Sequence, residues 1–100
     1  MIVIRIFVGD DLDRAVDLVP NSPLVVGRSP DADVRLMDLH ASRRHVRLAL
    51  TAAGFAVEDL GSSAGTKLNG EVLASGHRAV VPLPCNVVIG RHRLEIGWAD

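Results

Sequence analysis

Every apolar run in this chain is short, and Gly, Pro, Asn, Asp or Ser cuts each one before a helical repeat can develop. No other feature limits the possible folds so strongly. An amphipathic helix needs apolar residues at steps of three and four over about eleven positions, and no stretch supplies them. Alternation is present instead. Over 45–50, Val46, Leu48 and Leu50 fall on one face and His45, Arg47 and Ala49 on the other, the period-two pattern of a half-buried strand.

The remaining strands follow from the same breaks. Residues 2–8 read as a strand ended by Gly9-Asp10-Asp11, and 14–18 complete a hairpin. After the turn Pro20-Asn21-Ser22-Pro23 come a buried strand at 24–26, stopped by Gly27, and a brief one within 32–36. Residues 37–44 are polar and irregular. The turn Thr51-Ala52-Ala53-Gly54 leads back into 55–58, and 59–65 is a loop. Segments 66–68 and 71–73 flank Asn69-Gly70, the residue pair best suited to a type I′ hairpin turn. A weak strand at 78–81 precedes a last pair, 86–89 and 93–98, in which Leu94, Ile96 and Trp98 face one way. About ten short strands with turns between them predict an all-β antiparallel sandwich. Its core is aliphatic, since Phe7, Phe55 and Trp98 are the only aromatics.

Composition narrows the function. One hundred residues make one domain, 1–100, of a size that is also met as a module within longer proteins. With 48% apolar and 23% charged residues, the chain is globular and not disordered. A net charge of -1 argues against a nucleic-acid or membrane-surface partner. No run approaches the ~20 residues of a membrane span, and the start does not read as a signal peptide. The single cysteine, Cys85, follows Pro84 and reads as an inert buried thiol; a lone cysteine fits a reducing, cytoplasmic setting. There is no CxxC pair, HExxH or phosphate-binding GxxxxGK[ST] loop, and His40, His77 and His92 are scattered, so neither metal nor cofactor is expected. Ser42 and His45 lack an evident orienting carboxylate, so no catalytic residues are assigned. The oligomeric state is left open.

In a sandwich, function concentrates on the loops. Three segments stand out: Gly27-Arg28, Ser42-Arg43-Arg44-His45, and 59–66 with Asn69-Gly70 after it. Singly, each reads as an ordinary turn or a solvated charge. In this order and spacing they resemble the forkhead-associated (FHA) domain family. Its pattern runs Gly-Arg, Ser-x-x-His, Asp-Leu-x-Ser-x-Asn-Gly-Thr and Asn-Gly. The likeness extends to 30–33 and to Val88-Ile89-Gly90.

The resemblance implies an eleven-stranded sandwich that binds phosphothreonine in a partner protein, a Ser/Thr kinase or its substrate. It implies that Arg28 is the primary phosphate ligand, with Ser42, Arg43 and Ser63 beside it. Gly27, His45, Gly65, Thr66, Asn69 and Gly70 would support the loops, Gly65 and Gly70 through positive φ and Thr66 through a local backbone bond. His40, two residues before Ser42, would help to select residues after the phosphothreonine. The chemistry suits these types. A phosphate ester carries about -1.5 to -2 charges, and an arginine fork meets two of its oxygens at once. Arg28, Arg43, Arg44 and Arg47 are expected in or beside the site, and the acids Asp10, Asp11, Asp13 and Asp17, in the first hairpin, elsewhere.

One position departs from the pattern. Ala64 stands where the family has an asparagine that bonds the peptide backbone. Losing a neutral hydrogen bond costs about 0.5–1.5 kcal/mol, so weaker phosphopeptide binding is expected. The alternative is an FHA-type scaffold that binds a partner independently of phosphate.

Overall fold

Alternating burial along the strands shows how the sandwich closes. In the computed structural model, which describes residues 1–99, β1 (Ile2–Val8) buries Ile2, Ile4 and Ile6 and turns Arg5 outward. The chain continues through β2 (Asp11–Leu18), β3 (Leu24–Gly27), β4 (Val34–Arg35), β5 (Val46–Thr51) and β6 (Gly54–Asp59). It ends with β7 (Thr66–Leu68), β8 (Glu71–Leu73), β9 (Arg78–Val81), β10 (Cys85–Ile89) and β11 (His92–Trp98). One sheet has the order β2-β1-β11-β10-β7-β8 and the other β4-β3-β5-β6-β9. No helix occurs among the described residues.

The inner faces pack Val26, Val46, Leu48, Phe55 and Val57 of one sheet against Ile4, Ile6, Val87, Ile89, Leu94 and Ile96 of the other. Burying each such side chain contributes about 1.5–3 kcal/mol. Cys85 belongs to this core, and burial pushes its thiol up to about 11. The Asn69-Gly70 turn forms with φ of 51° and 83°, as the dipeptide predicts.

Some expectations change. β2 begins at Asp11, not residue 14, because a bulge between Ile6 and Phe7 in its pairing with β1 breaks the alternation there. The strand is an edge strand studded with Asp11, Asp13, Arg14 and Asp17, charges that blunt an open edge. The sandwich is antiparallel except for β3 and β4, which pair in parallel through Val26 and Val34. Trp98 continues the face of Leu94 and Ile96, opposite Ile2, but is 58% exposed. Phe7 is half-buried under the Arg93 guanidinium, 4.6 Å from its ring centroid, so Phe55 is the one aromatic among the core residues.

Register decides which loops meet. Val26 pairs with Val46 and Val46 with Asp59, so the segments after β3, before β5 and after β6 share one end. Val88 pairs with Lys67, and Val8 with both His92 and Asp11. The start of β7, the Gly90-Arg91 turn and the tip of the first hairpin therefore share one end of the six-stranded sheet, and the bonds from Arg91 N–H to Asp38 and from Thr66 to Asp59 bring the two ends together.

Candidate functional site

Arg28 leaves β3 directly against the segment before β5. Its backbone N–H donates to Ser42 O at 2.9 Å, and Ser29 N–H donates to Arg43 O at 3.1 Å. Gly27 is what permits this approach, because a Cβ there would collide with the backbone of Ser42 and Arg43. The Arg28 Nε–H donates to Ala41 O at 3.1 Å, which aims the guanidinium while its Nη end takes no protein partner among the described residues.

Ser42 and Ser63 meet across two loops. Ser63 N–H donates to Ser42 Oγ at 3.2 Å, and the two hydroxyls lie 3.4 Å apart. Behind them His45 is fully buried. Its Nδ1 accepts from Ser42 N–H at 3.0 Å, so the proton sits on Nε2, which donates to Gly65 O at 2.8 Å. One imidazole thus braces both loops, and although His45 precedes Arg47 in the alternation, it does not share that exposed face.

The loop after β6 is built around Asp59, which the sequence pattern contains without revealing its role. Its Oδ1 accepts from the N–H of Gly61 (2.9 Å), Ser62 (2.8 Å) and Gly76 (3.3 Å). Its Oδ2 accepts from the hydroxyls of Ser62 (2.5 Å) and Thr66 (2.7 Å). Thr66 therefore bonds a carboxylate, not the local backbone. Burial pushes the Asp59 carboxyl up, but the hydroxyls of Ser62 and Thr66 and the N–H groups of Ser62 and Gly76 outweigh it and hold the carboxyl below its ordinary range. The result presents Ser63 and Ala64 on the exposed side of the loop.

A second buried carboxylate, Asp38, gave no signal in the sequence. Its Oδ2 accepts from Arg91 N–H (2.8 Å) and His92 Nδ1–H (3.0 Å), and its Oδ1 from His40 N–H (2.9 Å) and Nδ1–H (3.3 Å). A Cβ on Gly90 would strike this carboxylate. Burial opposes its ionisation, yet the backbone N–H groups of Arg91 and His40, with the two imidazoles, hold it well below the usual carboxylate range. His92, expected as one of several scattered histidines, is thus part of a clamp between the β4–β5 loop and the β10–β11 turn.

Asn69 does more than turn its hairpin. Its N–H donates to Asn86 O at 2.8 Å and its Oδ1 accepts from Asn86 N–H at 2.9 Å, tying the turn to β10. Gly65, at φ 85°, and Gly70 take the positive φ expected of them.

Charge placement needs two corrections. Arg47 lies on the outer face of its sheet and pairs with Glu58 at 3.5 Å, so it does not join the loops. Asp10 and Asp11 are not remote: antiparallel register brings the first hairpin's tip to the loop end, and the side chain of Arg14 reaches the Arg35 carbonyl. Asp17, opposite Val3, lies toward the other end. Arg28, Arg43 and Arg44 form no ion pair among the described residues. No group of three or more His, Cys, Asp or Glu among those residues could hold a metal ion.

Comparison with known proteins adds to this geometry. The FHA domain family pattern matches residues 24–90. The FHA domain-containing protein FhaB of Mycobacterium tuberculosis is 38% identical over 74 residues, 74% of this chain and 46% of FhaB. The chain thus spans less than half the length of that relative. Among solved structures, the FHA domain of CT664 from Chlamydia trachomatis superposes with a TM-score of 0.87 at 22% identity, covering 99% of this chain and 98% of that one. The N-terminal FHA domain of S. cerevisiae Rad53p, solved in complex with a phosphothreonine peptide, superposes at 0.80 with 19% identity, covering 98% and 94%.

Proposed function

The chain belongs to the FHA domain family, and from that premise we propose that it is a recognition module for phosphothreonine peptides. The observation that carries the reading is the junction of three loops at Ser42. Its carbonyl holds the Arg28 backbone and its hydroxyl holds the Ser63 backbone, so an arginine, two hydroxyls and the neighbouring Arg43 are fixed in one place. The Nη end of Arg28 takes two phosphate oxygens. Ser42 and Ser63 donate hydroxyls, and Arg43 adds charge. Charge-assisted bonds contribute roughly 1.5–3 kcal/mol each, so two of them separate phosphorylated from unmodified peptide by about a hundredfold or more. His45, Asp59 and Thr66 act one layer behind, holding the donors so that little ordering remains for binding.

The site supports binding and not turnover. His45, the one imidazole beside a serine, has both nitrogens occupied by backbone groups. The partner in this reading is a protein phosphorylated by a Ser/Thr kinase, or the kinase itself, met in the cytoplasm. The chain would serve as one module of a longer protein.

Ala64 favours a second reading, phosphate-independent docking, because it is exposed next to Ser63 and offers a peptide backbone no side-chain bond. One experiment separates the two. A degenerate phosphothreonine peptide pool is titrated beside threonine and phosphoserine pools, with Arg28→Ala as control. Binding confined to phosphothreonine and lost in the variant supports recognition of the phosphate. Equal binding of all pools by both proteins rejects it.

A further inference from the structure

A groove of about 380 Å³ adjoins the proposed phosphate site, walled by Arg28, Arg35, Met37, Leu39, His40 and Arg91. Its apolar walls are unusually open: Met37 is 74% exposed and Leu39 92%. The backbone forces them out. Leu36 and Asp38 point inward, at 0% and 3% exposure; Met37 between them is left to solvent, and Leu39 sits in the turn that Ala41 N–H closes on Asp38 O at 3.1 Å. Asp38 cannot exchange places with either, because it is tied to Arg91 and His92 across the sandwich.

The same ties fix the charges. The Arg91 backbone is anchored on Asp38, the Arg35 Nε–H donates to Arg28 O at 3.1 Å, and the Arg28 Nε–H donates to Ala41 O. None of the three guanidiniums has a carboxylate partner among the described residues. The carboxylate in the wall, Asp38, is buried and already accepts four hydrogen bonds. The groove therefore joins unneutralised positive charge to two solvated aliphatic side chains. A purely apolar occupant would desolvate guanidiniums without pairing them. A purely anionic one would leave Leu39 and Met37 in water.

We propose that this groove selects, among phosphothreonine peptides, those with an acidic side chain next to an aliphatic one within a few residues of the phosphothreonine. Arg91 and Arg35 receive the carboxylate, and Met37 and Leu39 cover the aliphatic group. This inference rests on the phosphothreonine reading, since Arg28 is shared by the two sites and a peptide held by its phosphate runs on into the groove.

The test is a peptide pool with phosphothreonine fixed and the flanking positions varied, followed by fluorescence anisotropy on a selected peptide and on a phosphopeptide with alanines at the selected positions. The pool is expected to enrich Asp or Glu beside Leu, Ile, Val or Met. Arg91→Glu should weaken the selected peptide by about tenfold and shift selection toward basic residues, while the alanine peptide changes by less than about twofold. Leu39→Ser, at a solvent-exposed position, should weaken the selected peptide about threefold. Phosphothreonine-dependent binding with no flanking preference overturns this proposal alone. So does an equal loss for both peptides in Arg91→Glu. Absence of any phosphothreonine-dependent binding overturns this proposal together with the function it rests on.

Discussion

Asp59 and Asp38 are both buried carboxylates at the loop end, but they collect their partners over different spans of chain. Four of the five hydrogen bonds to Asp59 come from Gly61, Ser62 and Thr66, within seven residues, and the fifth comes from Gly76. Asp38 takes two from His40 and two from Arg91 and His92, 53 and 54 positions away. The first carboxylate folds one loop upon itself. The second docks a loop of the five-stranded sheet onto a turn of the six-stranded one. Local shape and loop-to-loop position are thus set by separate residues, and substitutions should separate them.

The largest effect is expected at Asp59. Asp59→Ala strips the acceptor from buried donors and should lower unfolding free energy by at least about 3 kcal/mol, read from urea denaturation. A loss under about 1 kcal/mol would show that the loop holds its shape without the carboxylate. Arg28→Ala comes next, in affinity: at least about a hundredfold weaker phosphopeptide binding by calorimetry, with the urea midpoint nearly unchanged. Asp38→Asn keeps one acceptor oxygen, and its partners His40 and Arg91 are exposed to water. It should lower stability by only about 1–2 kcal/mol. Hydrogen exchange should rise at Arg91 N–H and not at Ser62 N–H, and a rise at both would mean that the two clamps are not independent.

Acid provides a joint test. Both carboxyls are held below their ordinary value, so the unfolded chain binds protons more readily than the folded one as pH falls. The stability they contribute is complete above the unfolded value of about 3.9 and is lost as pH drops through the folded values. The urea midpoint should therefore hold down to about pH 4 and fall below it, and Asp59→Asn should flatten part of that fall. The smallest effect concerns the loop that Asp59 shapes. Ala64→Asn should strengthen phosphopeptide binding by about two- to tenfold; no change would mean that the loop presents position 64 away from the peptide.

The same two residues show what could be read in advance. Strands 66–68, 71–73 and 78–81 form over those very residues, because Gly, Asn-Gly and Pro mark their ends locally. The Arg28, Ser42, His45 and 59–66 elements were legible as motifs for the same reason. The start of β2 was obscured by a bulge, which depends on the partner strand. Asp38 is invisible in the sequence because nothing near it in the chain distinguishes it from a solvated acid in a polar, irregular segment.

The sequence by itself determined the all-β class, most strand positions, the aliphatic core and the identity of the loop motifs, all of which depend on period-two alternation and local φ preferences. Only the tertiary structure decided that Thr66 serves Asp59, that His92 serves Asp38, that Arg47 pairs with Glu58 and that Asp10 and Asp11 lie at the loop end. The physical reason is pairing register. A hydrogen bond between groups 54 residues apart forms when two sheets bring their ends together, and which ends meet is set by strand order and not by the residues that flank either partner.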